Sequence, residues 1–266
     1  MNSSSSKRRL RRFFYEGELP GEGKLIRLSV PETRHLQKTL RLKEGDECLI
    51  ADGCGREGRA SVSRFAPDGC AELQMMEISD KNPAAAGFQL RICQAILQKG
   101  KMDELVQKAQ ELGASEIWPL ETERSQVRME PAQQAKVLER WRKIAQEAAK
   151  QSGSGRLIKI ARPESFKQAW AAMAEEKLAA VFHPSPAALP FRKWVDRLDP
   201  AAPVRLNLFL GPEGGFSEKE MAAVESSRKN SKGNIQIVSL GPSILKADTA
   251  FIGVLAALRF LLPTSS

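Results

Sequence analysis

The sequence predicts an α/β protein: a small β-rich N-terminal part, then a larger part in which strands and helices alternate. Three observations predict it. From Phe13 to about Ile78, short runs of strand-forming residues are separated by turn signals such as Asp52-Gly53 and Pro67-Asp68-Gly69, the pattern of a small barrel. Beyond residue 87 the segments alternate between strand-like and helix-like, as in a parallel sheet covered by helices. Two apolar runs, Asn207-Leu208-Phe209-Leu210 and Ile235-Gln236-Ile237-Val238, lead into the Gly-Pro turns Gly211-Pro212 and Gly241-Pro242, and open α/β sheets place their ligand crevices at such strand ends.

In chain order, the expected N-terminal strands are Lys24-Leu25-Ile26-Arg27-Leu28, Glu47-Cys48-Leu49-Ile50-Ala51, Gly58-Arg59-Ala60-Ser61-Val62 and Ala71-Glu72-Leu73-Gln74-Met75. A helix over Pro31 to Leu40 interrupts them, with Leu36 and Leu40 on one face and His35 beside them. Residues 80–87, with Asn82-Pro83-Ala84-Ala85-Ala86, lack periodicity and mark the domain boundary. A strand over Gln89 to Ile96 follows. Met102, Leu105, Val106, Ala109 and Leu112 fall at helical spacing, and Gly113 stops that helix. After a strand at Glu116 to Leu120, Gln133 to Lys150 is amphipathic, with Leu138, Trp141, Ala145 and Ala148 as its apolar stripe.

The stretch Gln151 to Arg156 follows a helix and lacks the Gly-Lys-Ser/Thr ending of a phosphate loop, so it reads as a plain loop. Pro163 is expected to open a helix containing Phe166, Ala169, Trp170 and Met173. Leu178 to Phe182 reads as a strand running into His183-Pro184, and Pro184 to Pro203 as a loop. Ser217 and Glu220 have the spacing of a capping box. Asp248 or Thr249 is expected to cap a terminal helix reaching Leu262, apolar nearly all round and therefore buried in a core or a subunit interface.

The formal charge of the 266 residues is +9, and Lys7, Arg8, Arg9, Arg11 and Arg12 supply five of those charges within six positions. A basic arm over residues 1–12 therefore suggests contact with a polyanion, the alternative being a solvated tail. No apolar run approaches the roughly 20 residues that span a bilayer. No apolar core follows the basic residues, so the expectation is a cytoplasmic protein with no membrane association. Cys48, Cys54, Cys70 and Cys93 form no CxxC pair and the only histidines are His35 and His183, so no metal site is expected.

The turn Leu210-Gly211-Pro212-Glu213-Gly214-Gly215-Phe216 has readable mechanics. Gly214 and Gly215 permit positive φ or close backbone approach, and a helix N-terminus after them favours anions. Glu213 opposes phosphate there and suits a cationic or hydroxyl-bearing ligand. The GxGxxG of a dinucleotide fold is absent.

Arg12-Phe13-Phe14, His35 with Leu40-Arg41-Leu42-Lys43-Glu44-Gly45-Asp46, Lys101-Met102-Asp103, Lys108-Ala109-Gln110-Glu111-Leu112-Gly113 and Pro119 to Ser125 occur in that order. Arg140-Trp141-Arg142-Lys143-Ile144, His183-Pro184, Gly211 to Gly215 and Leu240-Gly241-Pro242 to Thr249-Ala250 continue the series. In these pieces and their spacing the chain resembles, over almost its whole length, the RsmE family of 16S ribosomal RNA uridine-N3 methyltransferases of the SPOUT superfamily. The resemblance implies a PUA-like RNA-binding β-barrel over residues 13–80 and a SPOUT α/β domain over residues 88–266 with a trefoil knot. It also implies a homodimer acting on 16S rRNA in the small ribosomal subunit. S-adenosyl-L-methionine would be held by His183, Leu210, Gly211, Gly214, Gly215, Leu240, Gly241, Ile244, Leu245, Thr249 and Ala250. Lys246-Ala247-Asp248 departs from the family's usual Arg, any residue, Glu, and the Gln151 to Arg156 loop is longer than the family's Gln-Ser-Gly-Arg form.

The implied reaction methylates N3 of a specific uridine. N3 carries a proton and is a poor nucleophile, so the site must remove that proton or stabilise charge developing on the uracil oxygens. Glu213 and Asp248 are the candidate catalytic carboxylates, and Arg12, Arg124 and Lys246 the candidate charge stabilisers or phosphate contacts. Other readings stay open: Glu213 shaping the turn or bonding a ribose, Asp248 as a helix cap, His183 as a turn residue. Arg8, Arg9, Arg11, Arg12, Arg41 and Arg124 are the candidate RNA contacts. A non-catalytic RNA-binding or ribosome-assembly factor on the same fold is the alternative.

Overall fold

The computed structural model describes residues 10–79, 88–98, 100–173, 178–199, 205–231 and 234–262. The described residues fall into two compact units, one from Met1–Pro83 with Ala149–Leu157, the other from Ala84–Ala148 with Ile158–Ser266. The expected boundary at residues 80–87 lies outside the described residues.

The first unit contains β1 (Arg12–Phe14), β2 (Leu25–Arg27), α1 (Val30–Arg34), a π-helical turn at His35–Thr39, β3 (Glu47–Ala51), β4 (Glu57–Phe65) and β5 (Ala71–Ser79). These strands form one sheet in the order β1-β3-β4-β5-β2, antiparallel except for β1 against β3. Its path is open, with β1 and β2 at the edges, so among the described residues the expected barrel is a half-barrel. Alternation buries one face. Ala60 and Val62 of β4 pair with Met75 and Leu73 of β5, and all four pack with Phe13, Ile26 and Ile50 in one core.

The helix expected over residues 31–40 is split. Leu40 N–H donates to His35 O at 3.2 Å, five residues back, so the last turn widens into a π-turn. The chain leaves it through Arg41, at a left-handed φ of 54°. His35 packs edge-on against the Phe13 ring, with centroids 6.0 Å apart.

Residues Ala149–Leu157 belong to this unit, where the expectation put them in the C-terminal domain. Burial explains the difference: Ala149 sits in a small cluster with Phe14 and Ala51, and Leu157 N–H donates to Gly53 O at 2.8 Å. Lys150 Nζ lies 2.7 Å from Glu32 Oε1, with both side chains under a tenth exposed.

The second unit alternates strictly enough to build a wholly parallel sheet. Its elements are β6 (Gln89–Ala95), α2 (Lys101–Glu111), β7 (Glu116–Glu121), α3 (Pro131–Ser152, as far as Ala148 in this unit), β8 (Lys159–Ile160) and β9 (Glu164–Ser165). Then come α4 (Phe166–Met173), β10 (Ala179–Phe182), β11 (Leu189–Pro190), α5 (Phe191–Val195), β12 (Arg205–Leu210), α6 (Glu218–Asn230), β13 (Ile235–Ser239) and α7 (Ala247–Leu261). The strand order is β11-β13-β10-β12-β6-β7-β8, with β9 also on β7.

Strands covered on both faces should be apolar throughout rather than alternating. β10 is buried at every position, and β6 and β12 at all but their first. Leu206, Leu208 and Leu210 point into a core shared with α2, α3, α5 and α7. Phe209 points the other way, towards Phe166 of α4 and Phe216.

Three local expectations are corrected. Pro163 does not open a helix, because Glu164 first pairs with Leu120 as a short strand and the helix starts at Phe166. The segment after Pro184 is not a bare loop: it contains β11 and α5, whose Phe191 and Trp194 rings stand 6.3 and 5.8 Å from that of Phe182. The N-cap of α7 is Lys246, with no side-chain capping bond, so neither Asp248 nor Thr249 caps it. One flank of α7 is buried through Phe251, Val254, Leu255 and Leu258, while Phe260 is 82% exposed. The Ser217 capping box is present, Glu220 N–H donating to Ser217 Oγ at 3.2 Å and Ser217 N–H to Glu220 Oε2 at 2.7 Å.

Candidate functional site

Phe182 is in register with both Leu210 and Val238, so β10, β12 and β13 end level and release their chains at one edge of the sheet. The turns that follow wall a cavity of about 360 Å³, within the usual size of small-molecule sites. Phe182, His183 and Pro184 form one side, Leu210 to Gly215 the second, and Val238 to Gly241 with Ser243, Ile244 and Leu245 the third; Ala247 and Ala250 of α7 and Arg124 complete it.

Glycine makes the second wall possible. A Cβ on Gly211 would stand 3.3 Å from the backbone of Gly215 and Phe216, so a side chain there would push the turn's own backbone by a few tenths of an ångström. Gly215 has φ +68°, which L-residues avoid, and its N–H donates to Pro212 O at 2.9 Å. Two side chains brace the turn. Gln94, fully buried at the end of β6, donates from Nε2 to Ala95 O at 2.8 Å and to Gly211 O at 3.4 Å. Arg124, after β7, donates from Nη1 to Gly214 O at 3.0 Å. Gln94 was not legible as a site residue, since a single amide in an apolar strand carries no spacing signal.

Of the candidate cofactor residues, His183, Leu210, Gly211, Gly214, Gly215, Leu240, Gly241, Ile244, Leu245 and Ala250 line the cavity. Thr249 does not, and neither do Lys246 and Asp248; Thr249 and Lys246 are exposed. Ile244 is 89% exposed and Leu245 41%, so the apolar lip of the third wall faces outward as well as inward.

Glu213 lines the cavity and is not free. Lys101 Nζ lies 2.7 Å from its Oε1 and 3.7 Å from Asp248 Oδ2. The hydrogen bond from Lys101 holds the Glu213 carboxyl below its ordinary range against the opposing effect of burial, and raises the Lys101 ammonium in return. Such a carboxylate is a fixed acceptor and a weak base. His183 is held below its ordinary value first by burial and then by the charge of Arg124, so its imidazole is neutral near pH 7. The sequence assigns Lys101 no role of its own; the signal it carries is its place in Lys101-Met102-Asp103.

The candidate RNA contacts separate. Arg124 is at the cavity. Arg11, Arg12 and Arg41 are in the first unit; Arg12 Nη2 pairs with Glu57 Oε2 at 2.7 Å with only 11% of its side chain exposed, whereas Arg41 is exposed beside Lys43. Arg8 and Arg9 lie outside the described residues. Among the described residues no group of three or more His, Cys, Asp or Glu side chains is placed to hold a metal ion, and no helix is long and apolar enough to cross a membrane.

Residues 85–259 match the RNA methyltransferase domain family. The chain is 34% identical over 242 residues to the ribosomal RNA small subunit methyltransferase E of Synechocystis, covering 89% of this chain and 73% of that one. A putative methyltransferase of Legionella pneumophila, solved with bound SAM, superposes with a TM-score of 0.78 at 28% identity over 95% of this chain and 98% of the other. The ribosomal RNA small subunit methyltransferase E of Neisseria gonorrhoeae, bound to S-adenosyl methionine, gives 0.78 at 25% identity over the same shares.

Proposed function

Because the chain belongs to the RNA methyltransferase family, among the small-subunit ribosomal RNA methyltransferases E, we propose that it methylates N3 of a specific uridine in 16S rRNA using S-adenosyl-L-methionine. The observation that carries this reading is the cavity walled by three turns at level strand ends. Its residues fit the cofactor: Leu210 and Leu240 offer an apolar slot for a flat base, the glycine turns offer backbone N–H and C=O groups, and Glu213 offers a carboxylate to a cationic or hydroxyl-bearing part. The cofactor supplies an electrophilic methyl group on a sulfonium.

The chain's own residues then have two tasks. N3 gains a methyl and loses its proton, so an acceptor must face N3–H and a cation must meet the charge spread over the uracil oxygens. Glu213, which lines the cavity, is the acceptor proposed, with Asp248 outside it at the start of α7; Arg124, at the cavity, is the cation proposed, with Lys246 outside it at the cap of α7. His183, neutral and partly buried, adds no charge to repel a cationic ligand. A paired or stacked uridine must be splayed out to reach such a cavity, which gives the first unit, through exposed Arg41 and the basic arm, the task of gripping surrounding RNA. We further read the half-barrel as PUA-like, the end of the second unit as a trefoil knot, and α7, with exposed Phe260 and Leu261, as a homodimer contact in the cytoplasm.

Mass mapping of modified nucleosides in small-subunit rRNA from a deletion strain, with and without add-back of the protein, tests the target. N3-methyluridine should vanish at one position and return on add-back. Unchanged N3-methyluridine overturns the proposed base, and cofactor binding without any new methylation would point to the assembly-factor alternative.

A further inference from the structure

Lys101 is the first residue of α2, directly after Gly100 at φ +94°. A cation there opposes the helix dipole, which favours acidic groups in a first turn. Asp103 and Glu104 obey that preference and Lys101 does not. A locally unfavourable placement that persists is a mark of a site, and here the long side chain reaches Glu213 on the cavity wall and Asp248 in the first turn of α7. The reach is set by packing: Met102, Leu105 and Val106 of α2 share one buried core with Phe251, Val254 and Leu255 of α7.

We propose that Lys101 is a positioning residue of the methyl-transfer site: it clamps Glu213 to Asp248, so that the turn after β12 and the start of α7 keep one spacing and Glu213 presents a charged acceptor in a single orientation to the incoming ligand. The proposal rests on the methyltransferase reading above. One oxygen of Glu213, Oε1, is taken by Lys101, so a ligand donor, uracil N3–H or a ribose hydroxyl, meets the other. The charged and titratable groups around Glu213 are Lys101 from α2, Asp248 from α7, Arg124 bonded to the neighbouring Gly214, and the neutral His183 next to Gly215. Lys101 is the one that bonds the carboxylate directly, and Asp248 opposes its charge.

The test compares Lys101→Met and Lys101→Arg with the wild type in three readouts. In the protein without ligands, the Glu213 carboxyl resonance, identified by its loss in Glu213→Gln, should titrate at higher pH in Lys101→Met and stay low in Lys101→Arg. Methyl transfer to small-subunit rRNA should lose roughly 10- to 100-fold in kcat in Lys101→Met, the loss expected from a misplaced group, with KM for RNA little changed. The acid limb of its pH profile should move upward, and Lys101→Arg should restore both. An unshifted Glu213 titration, or a rate loss identical at all pH values and not rescued by arginine, overturns the proposal. If the wild type transfers no methyl group to rRNA, the reaction reading fails, while the carboxyl titration still decides the clamp. Should Lys101→Met not fold, Lys101→Gln makes the same comparison with a neutral donor.

Discussion

Arg124 donates from Nη1 to the carbonyl oxygen of Gly214 at 3.0 Å, so a side chain that follows β7 braces a turn that follows β12. Removing a hydrogen bond from a charged donor costs about 1.5 kcal/mol, or about tenfold in an equilibrium constant. Arg124→Ala is expected to weaken S-adenosylmethionine binding by about that factor in calorimetry. Arg124→Lys should recover little, since an ammonium does not reproduce the guanidinium's reach and fork. Unaltered affinity in both variants would show that the turn holds its shape without the brace.

The two glycines of the same turn make different demands. At Gly215 an alanine meets open space around its Cβ, with only His183 Cε1 at 3.9 Å, yet must adopt φ +68°, a backbone cost of about 1–2 kcal/mol. At Gly211 the φ is ordinary but the Cβ meets backbone at 3.3 Å, which cannot rotate away. Gly215→Ala should therefore lower thermal stability with modest loss of cofactor affinity, and Gly211→Ala should distort the slot and lose affinity more than stability. The paired melting and calorimetry data would refute this if both variants lost the two quantities in the same ratio.

Legibility from sequence followed how local the determinant was. The Ser217 capping box, the buried stripe of Leu138, Trp141, Ala145 and Ala148, and the buried strand at Asn207 to Leu210 depend on spacing within one element, and all appear as expected. The elements misread depend on contacts made elsewhere. Pro163 looks like a helix start until Glu164 finds Leu120 across the sheet, and residues 149–157 look like a helix end and a plain loop of the C-terminal domain until Lys150 finds Glu32. The cavity was legible because Gly-Pro turns after apolar runs mark strand ends. Lys101 was not, because what matters about it is the distance to Glu213, 112 positions along the chain.

His183 is expected to make stability depend on pH. Its folded-state value is depressed below the ordinary 6.5 by burial and by Arg124, so between that lowered value and 6.5 the unfolded chain binds more protons than the folded one. Its contribution is therefore complete above about pH 6.5 and is lost as pH falls through that window. Tm measured from pH 7.5 downward should decline, and His183→Asn should flatten the part of the decline nearest pH 6. An identical slope in the variant would assign the pH dependence to other groups.

The Lys150 and Glu32 side chains are 9% and 7% exposed, and Glu32 Oε2 also accepts from Phe14 N–H at 3.4 Å. Breaking such a pair strands a buried charge, at about 3–5 kcal/mol, whereas replacing both partners by apolar groups is often close to neutral. Lys150→Met alone should destabilise strongly in urea. The double variant Glu32→Leu with Lys150→Met should regain most of the loss, less what the unpaired Phe14 N–H costs. A double variant no more stable than Lys150→Met would show that Glu32 matters for the strand β1 contact rather than for the pair.

The basic arm is shorter in structural terms than its sequence suggests, since Arg12 is already the first residue of β1 and is paired with Glu57. Removing residues 1–12 would therefore take away a sheet residue together with the charges, confounding RNA affinity with stability. Deleting residues 1–9 removes Lys7, Arg8 and Arg9 and spares β1. If those three cations contact phosphates, the slope of log affinity for small-subunit rRNA against log salt should fall by roughly two, with S-adenosylmethionine affinity unchanged. An unchanged slope would leave RNA binding to cations such as Arg41 and Arg124, while a loss of cofactor affinity would mean that the segment supports the cavity and not the RNA.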